Sequence, residues 1–236
     1  MKQIILLFIL FISFTSFSQS TLWNQLLQKH VDQKGWVNYD GFKNDNIKLN
    51  QYLSYLANTQ PDDHWSDSKQ KAFWINAYNA YTIKLILKHY PLKSILEIKK
   101  DDKNAWEIPF VKIGSKTYTL NDVEHKILRK KYKDPRIHVG VNCASISCPQ
   151  LPNIAFTEKN IDSLLTTQMN SFINDSNRNN ISLNKVELSQ IFNWFKDDFT
   201  QQTDLITFIN QYSNITINNG ATIDYKEYNW NLNNQK

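Results

Sequence analysis

Two cysteines, Cys143 and Cys148, stand five residues apart in the run Asn142-Cys143-Ala144-Ser145-Ile146-Ser147-Cys148-Pro149. A thiol is a useful nucleophile only as thiolate, and with an ordinary pKa of ~8.5 it needs a base or a positive group nearby. Two histidines could serve. Ile137–Val141 reads as a strand that delivers Cys143 to its end, in a loop bounded by Pro149. His138 lies an odd offset before Cys143 and so points to the opposite face of that strand. His125, in the pair Glu124-His125 at the start of a helix, is therefore the expected partner. Exposed backbone N–H groups and the helix dipole disfavour a cationic imidazole there, as a general base requires. Asn76 or Asn142 would orient the imidazole or stabilise developing charge. The candidate catalytic set is Cys143, His125, Asn76 and Asn142.

The same residues have plainer readings. Cys143 and Cys148 could close a short disulfide loop, worth on the order of 2 kcal/mol by chain entropy. His138, Cys143 and Cys148 could hold a metal, but His-x4-Cys-x4-Cys lacks the Cys-x2-Cys pairs of closed zinc sites and a fourth ligand. No HExxH occurs, and no metal or cofactor is expected. Asn76 and Asn79, three apart on an apolar helix, are read first as amides satisfying buried backbone. Glu124 could act as an acid but is read first as a helix cap, and Arg129 could pair with a substrate carboxylate but is read first as paired with a protein carboxylate or facing solvent. Trp194, Asp197-Asp198-Phe199 and Trp230 are read as packing anchors, although 13% aromatic content leaves room for an aromatic-lined groove.

These residues must be positioned by a chain of 236 residues, 41% hydrophobic and 21% charged, which excludes a disordered or collagen-like protein. The net charge of +5 is spread along the sequence, so no nucleic-acid partner is expected. Five glycines, none clustered, exclude phosphate-cradling loops. Helices are expected over Thr21–Val31, Ile47–Leu56, from a Ser66 or Asp67 cap to Tyr90, and from an Asn121 cap through Val123, Ile127 and Leu128. Further helices are expected at Thr157–Ile173, Gln190–Phe195 and Asp204–Tyr212. Besides Ile137–Val141, strands are expected after Lys34-Gly35, in a hairpin turning at Gly114-Ser115, and at Ile181–Leu183, Val186–Leu188 and Thr222–Tyr225. Mixed helices and short strands without a βαβ rhythm predict one α+β domain, its helices packed around a small, largely antiparallel sheet.

Met1–Ser18 carries one charge, Lys2, then the apolar run Ile4–Ile12 and small residues at Ser16 and Ser18. Nine helical residues span ~14 Å against ~30 Å of bilayer hydrocarbon, so this is the pattern of a secretory signal peptide cleaved before Gln19. Export to the periplasm or beyond follows, with no membrane-spanning segment in the mature chain 19–236.

Several segments resemble one family. They are Phe73-Trp74-Ile75-Asn76-Ala77-Tyr78-Asn79-Ala80, Asp122-Val123-Glu124-His125-Lys126-Ile127-Leu128-Arg129, Arg136–Pro149, Asn193–Phe199 and Tyr228–Asn233. Together they are similar to domain-of-unknown-function family 547, found in exported bacterial proteins and in plants, over about residues 34–233. The resemblance implies a fold unit without a settled activity. Plant relatives keep the first cysteine of the third motif, which directs any chemistry to Cys143. Two functions are therefore expected as rivals. One is a thiol-dependent hydrolase or acyl transferase acting on an acyl or isopeptide carbonyl; the other is a peptide- or glycan-binding module with structural cysteines.

Overall fold

The computed structural model describes residues 21–235. The signal-peptide expectation for residues 1–18 lies outside them.

The longest helix, α4 (Asp67–His89), organises the fold. Ser66 caps it, accepting a hydrogen bond from the Lys69 backbone N–H at 3.1 Å, and Lys88 and His89 fall in the last turn, where the helix dipole favours cations. Fifteen of its 23 residues are buried, so it must be covered on nearly every side. Helices α2 (Tyr39–Asn44), α3 (Asn46–Ala57) and α7 (Ile161–Ile173) pack on it, as does a π-helix, Asp122–Arg129, that runs into the short α5 (Lys130–Tyr132). Trp23, Leu26 and Leu27 of α1 (residues 21–30) join the same apolar cluster.

A second, smaller cluster forms on the far side of α7. Met169, Phe172 and Ile173 meet Val186, Phe192, Phe199 and Phe208 there. These come from β6 (Lys185–Leu188), α8 (Gln190–Trp194), α9 (Lys196–Phe199) and α10 (Leu205–Asn210).

The α+β class is as expected, with the strands divided among three small sheets. Strands β1 (Lys99–Lys100) and β2 (Lys103–Asn104) pair antiparallel, as do β3 (Val111–Ile113) and β4 (Lys116–Tyr118) across the Gly114-Ser115 turn. In the third sheet β6 pairs antiparallel with β5 (Asn180–Ile181) and parallel with β7 (Thr222–Tyr225). Among the described residues no helix is long and apolar enough to cross a membrane.

Three local expectations are corrected. The segment after Lys34-Gly35 makes only isolated bridges at Val37 before α2 begins. Ile137–Gly140 is a short helix, α6, not a strand. The Asp134 side chain and carbonyl accept from the N–H groups of Arg136 and Ile137, which starts a helical turn despite the β-branched residues that follow. Gly140 then fits against α4 and α7: a Cβ there would meet Leu165 at 2.9 Å and Ile75 at 3.1 Å. Third, Asn121 does not cap its helix. Thr119 does, in a reciprocal box in which the Asp122 N–H donates to Thr119 Oγ1 and the Thr119 N–H to Asp122 Oδ2, both at 2.9 Å. The helix start therefore lies two residues earlier than expected, and Glu124 is released from any capping role.

Candidate active site

A cavity of about 210 Å³ opens where the two clusters meet. The α4 side contributes Tyr78, the π-helix Glu124 and His125, α6 His138, and the loop after it Cys143 and Cys148. Trp194 and Phe195 at the end of α8, with Tyr228 and Trp230 of the C-terminal segment, complete the wall.

The cysteine loop is held from three directions. Asn79 on α4 donates to the Gly140 carbonyl at 2.9 Å and accepts from the Asn142 N–H at 2.8 Å. Asn142 ties the loop to itself, donating to the Pro149 carbonyl and accepting from the Ala144 N–H. The C-terminal segment lies alongside it, with the Ile146 N–H donating to the Asn231 carbonyl at 2.8 Å and the Asn233 N–H to that of Ala144 at 3.0 Å. Ala144 is held at φ +62°, a left-handed conformation costly for a residue with a Cβ, immediately after Cys143.

Both cysteines are free thiols, and the alternative of a local bridge between them is not formed. The Cys143 sulfur lies 3.2 Å from Ser145 Oγ and 3.4 Å from the Tyr228 hydroxyl, and the Cys143 N–H donates to the Cys148 sulfur at 3.0 Å. Burial keeps the Cys148 thiol protonated, and its hydrogen bond to Cys143, joined by those of Ser145 and Tyr228, outweighs the burial that opposes Cys143 ionisation. The Cys143 thiol is consequently held below its ordinary range.

The histidines differ from expectation. Because Ile137–Gly140 is helical, strand parity does not apply, and His138 lines the same cavity as Cys143. His138 is 2% exposed, stacks on Phe195 with ring centroids 4.1 Å apart, and hydrogen-bonds through Nε2 to Asp198 at 2.7 Å. Asp198 also takes two hydrogen bonds from the Arg129 guanidinium, at 2.6 and 3.1 Å. Burial resists its ionisation, but His138 and Arg129 prevail and hold the carboxyl well below the usual range. Its partner Arg129 is thus satisfied by a protein carboxylate.

His125 shares the cavity with Cys143 but makes no hydrogen bond to it. Its Nδ1 lies 3.2 Å from Nη1 of Arg129. A guanidinium can only donate, so Nδ1 is the acceptor. Burial, then Arg129 and His138, push the imidazole below its ordinary pKa, so the neutral ring carries its hydrogen on Nε2.

Glu124 is 7% exposed and faces the cavity. Its closest cationic or basic contact is His138 Nδ1 at 3.9 Å, beyond hydrogen-bond reach. Burial raises its pKa to about 7, opposed by a hydrogen bond from Tyr78 and reinforced by Cys143. Trp106 in turn donates to the Tyr78 hydroxyl at 3.2 Å.

Asn76 stands outside this arrangement. Its amide donates to the Phe156 carbonyl at 2.7 Å, and its oxygen accepts from the Phe156 N–H and Trp23 Nε1. Both ends are spent on fold, so Asn76 is withdrawn as a catalytic candidate. Asn142 is likewise committed to shaping the loop. Ser145, Tyr228 and Asp198 were not singled out as site residues. Asp198 and Tyr228 lie in the aromatic motifs read as packing, and only the tertiary fold turns them inward. Trp194, by contrast, is 47% exposed and stacks on Trp230 at the cavity mouth, centroids 5.8 Å apart.

A family model agrees with part of the resemblance in sequence. Residues 63–173 match the family described as "Protein of unknown function, DUF547". The matched stretch holds Glu124, His125, His138, Cys143 and Cys148, and ends before Trp194, Asp198 and Tyr228. No curated protein and no solved structure matches the chain. Among the described residues no group of three or more His, Cys, Asp or Glu side chains is disposed to hold a metal ion.

Proposed function

We propose that this DUF547-like chain is a thiol-dependent hydrolase or acyl transferase with Cys143 as nucleophile. The observation that carries the reading is the unbridged Cys143 thiol in the cavity wall, hydrogen-bonded by Ser145, Tyr228 and Cys148 in a way that favours thiolate. His125 lines the same cavity and bears its hydrogen on Nε2, a donor that would suit an oxygen gaining charge as a carbonyl is attacked. The substrate's acyl part would lie against Trp106, Trp194 and Trp230, whose rings suit an apolar or aromatic group. Residues 1–18 would direct the protein out of the cytoplasm.

The exposed stack of Trp194 on Trp230 supports a second reading, a binding module for a peptide or glycan. One experiment separates the two. With p-nitrophenyl acetate as probe, the wild type should release a burst of nitrophenolate and carry an acetyl thioester on Cys143 by intact mass, and Cys143→Ser should do neither while melting normally. A wild type that never acquires the adduct, or one recovered active with a quantitative Cys143–Cys148 bridge, would sink the enzyme reading.

A further inference from the structure

Thiol acyl transfer needs a group that accepts the cysteine proton and later returns one. Glu124, His125 and His138 line this cavity, with Asp198 bonded to His138, and the geometry sets three of the four aside. Asp198 is saturated by Arg129 and His138 and is too weak a base near neutrality. His138 is fixed by Asp198, which as a carboxylate can only accept, so Nε2 bears the hydrogen; Nδ1 faces Glu124. His125 spends its lone pair at Nδ1 on Arg129, which leaves the hydrogen on Nε2 and no free lone pair to take a proton. Glu124 remains, a buried carboxyl in the cavity wall with no ion pair of its own closer than 3.9 Å.

We infer that Glu124 is the proton carrier of the site, taking the proton of Cys143 and delivering it to the leaving group. The inference rests on the thiol reading above. In the first half-reaction the S–H proton moves to the Glu124 carboxylate and the sulfur lone pair forms a C–S bond to the acyl carbon, as the carbonyl π pair moves onto oxygen. Collapse re-forms C=O and breaks the bond to the leaving amine or alcohol, which takes the proton from Glu124. In the second half an incoming water gives a proton to Glu124 while its oxygen bonds to the acyl carbon. The C–S bond breaks, the acid departs, and the sulfur recovers the proton. No oxidant or co-reactant beyond water is required.

The surroundings of Glu124 suit this cycle. Tyr78 faces it from α4, His138 from α6, Cys143 from the loop, Asp198 from α9 and Arg129 from its own helix. Burial among these groups, Arg129 and Asp198 being engaged with each other, brings the carboxyl to about 7, where it can be both base and acid. An ionised Cys143 opposes the ionisation of Glu124, which favours the protonated carboxyl once the thiolate has formed.

The test follows the acetyl-enzyme made with p-nitrophenyl acetate, whose leaving group needs no proton. Glu124→Gln should acquire the acetyl group more slowly, because the Cys143 proton loses its acceptor, and should lose it to water about 100-fold more slowly than the wild type. Wild-type deacylation should rise with pH through a midpoint near that of Glu124, and His125→Asn should keep this profile. Deacylation by Glu124→Gln at the wild-type rate would overturn the inference, as would a profile abolished by His125→Asn. If Glu124→Gln does not fold, Glu124→Asp should move the midpoint of the deacylation profile, and an unmoved midpoint would overturn the inference. A wild type that never forms the acetyl-enzyme fails the thiol reading itself, a distinguishable result.

Discussion

Around α4 the chain buries a helix on nearly every side, and the polar groups caught there are spent on fold. Asn76 and Asn79 are buried with both ends of each amide bonded to, or accepting from, neighbouring backbone. In the smaller cluster beyond α7 the elements are short: α8 has five residues, α9 four and α10 six. Its aromatic core of Phe172, Phe192, Phe199 and Phe208 holds them, and of the three α8 lines the cavity, through Ile191 and Trp194. Trp194 ends α8, and Asp198 sits in the single turn of α9. The larger region therefore supplies the reactive groups on a rigid base, while the smaller one supplies the wall and the carboxylate that orients His138 and Arg129. A site at such a seam depends on both cores being docked.

Three measurements would break or sharpen this contrast. The largest effect is expected from Phe192→Ala, which empties the centre of the smaller cluster and should cost about 4 kcal/mol in denaturant unfolding. If the clusters are one cooperative unit, circular dichroism and tryptophan fluorescence will still report a single, shifted transition. Two separated transitions would show that the seam opens by itself.

Next comes the stability given up at the seam. Glu124 holds its proton up to about 7 when folded, but releases it in the ordinary carboxylate range when unfolded. Between those values the folded state binds the extra proton, so its contribution is full at low pH and is lost as pH rises through 7. Glu124→Gln removes that loss. It should be more stable than the wild type by roughly 2 kcal/mol at about pH 8 and nearly equal at about pH 4. Equal stability at both pH values would mean that Glu124 is ionised in the fold at no cost.

The smallest effect is expected from Trp194→Ser at the exposed mouth. Unfolding free energy should change by no more than about 0.5 kcal/mol, while acylation by p-nitrophenyl phenylacetate should weaken more than acylation by p-nitrophenyl acetate. An equal loss for both esters would remove Trp194 from acyl recognition.

Where one segment's own chemistry governs it, the sequence was a sound guide. The Ser66 cap, the apolar circumference of α4, the Gly114-Ser115 hairpin and the β7 strand all stand where residue pattern and turn chemistry put them. Reading failed where two local signals competed. At Ile137–Val141 β-branched residues outweighed Asp134-Pro135 in the reading, but in the fold the turn wins because Gly140 must lie against Ile75 and Leu165. At the π-helix two capping patterns overlap, Thr119/Asp122 and Asn121/Glu124, and because the fold uses the first, Glu124 is free of the capping role that its sequence favoured over an acid.

The sequence by itself determined the α+β class, the central helix and the placing of Cys143 and His125 as candidates, because periodicity, caps and residue chemistry are local. What those candidates meet was decided only by tertiary structure. The C-terminal segment pairs with the cysteine loop across more than eighty residues of chain and brings Tyr228 to the Cys143 sulfur. The π-helix turns His125 to Arg129 and leaves Glu124 facing the cavity, and α9 sets Asp198 between Arg129 and His138. A hydrogen-bond partner fixes which nitrogen holds a proton, and desolvation fixes which carboxyl keeps one. Both depend on groups distant in sequence, so they exist only once the two clusters have closed on each other.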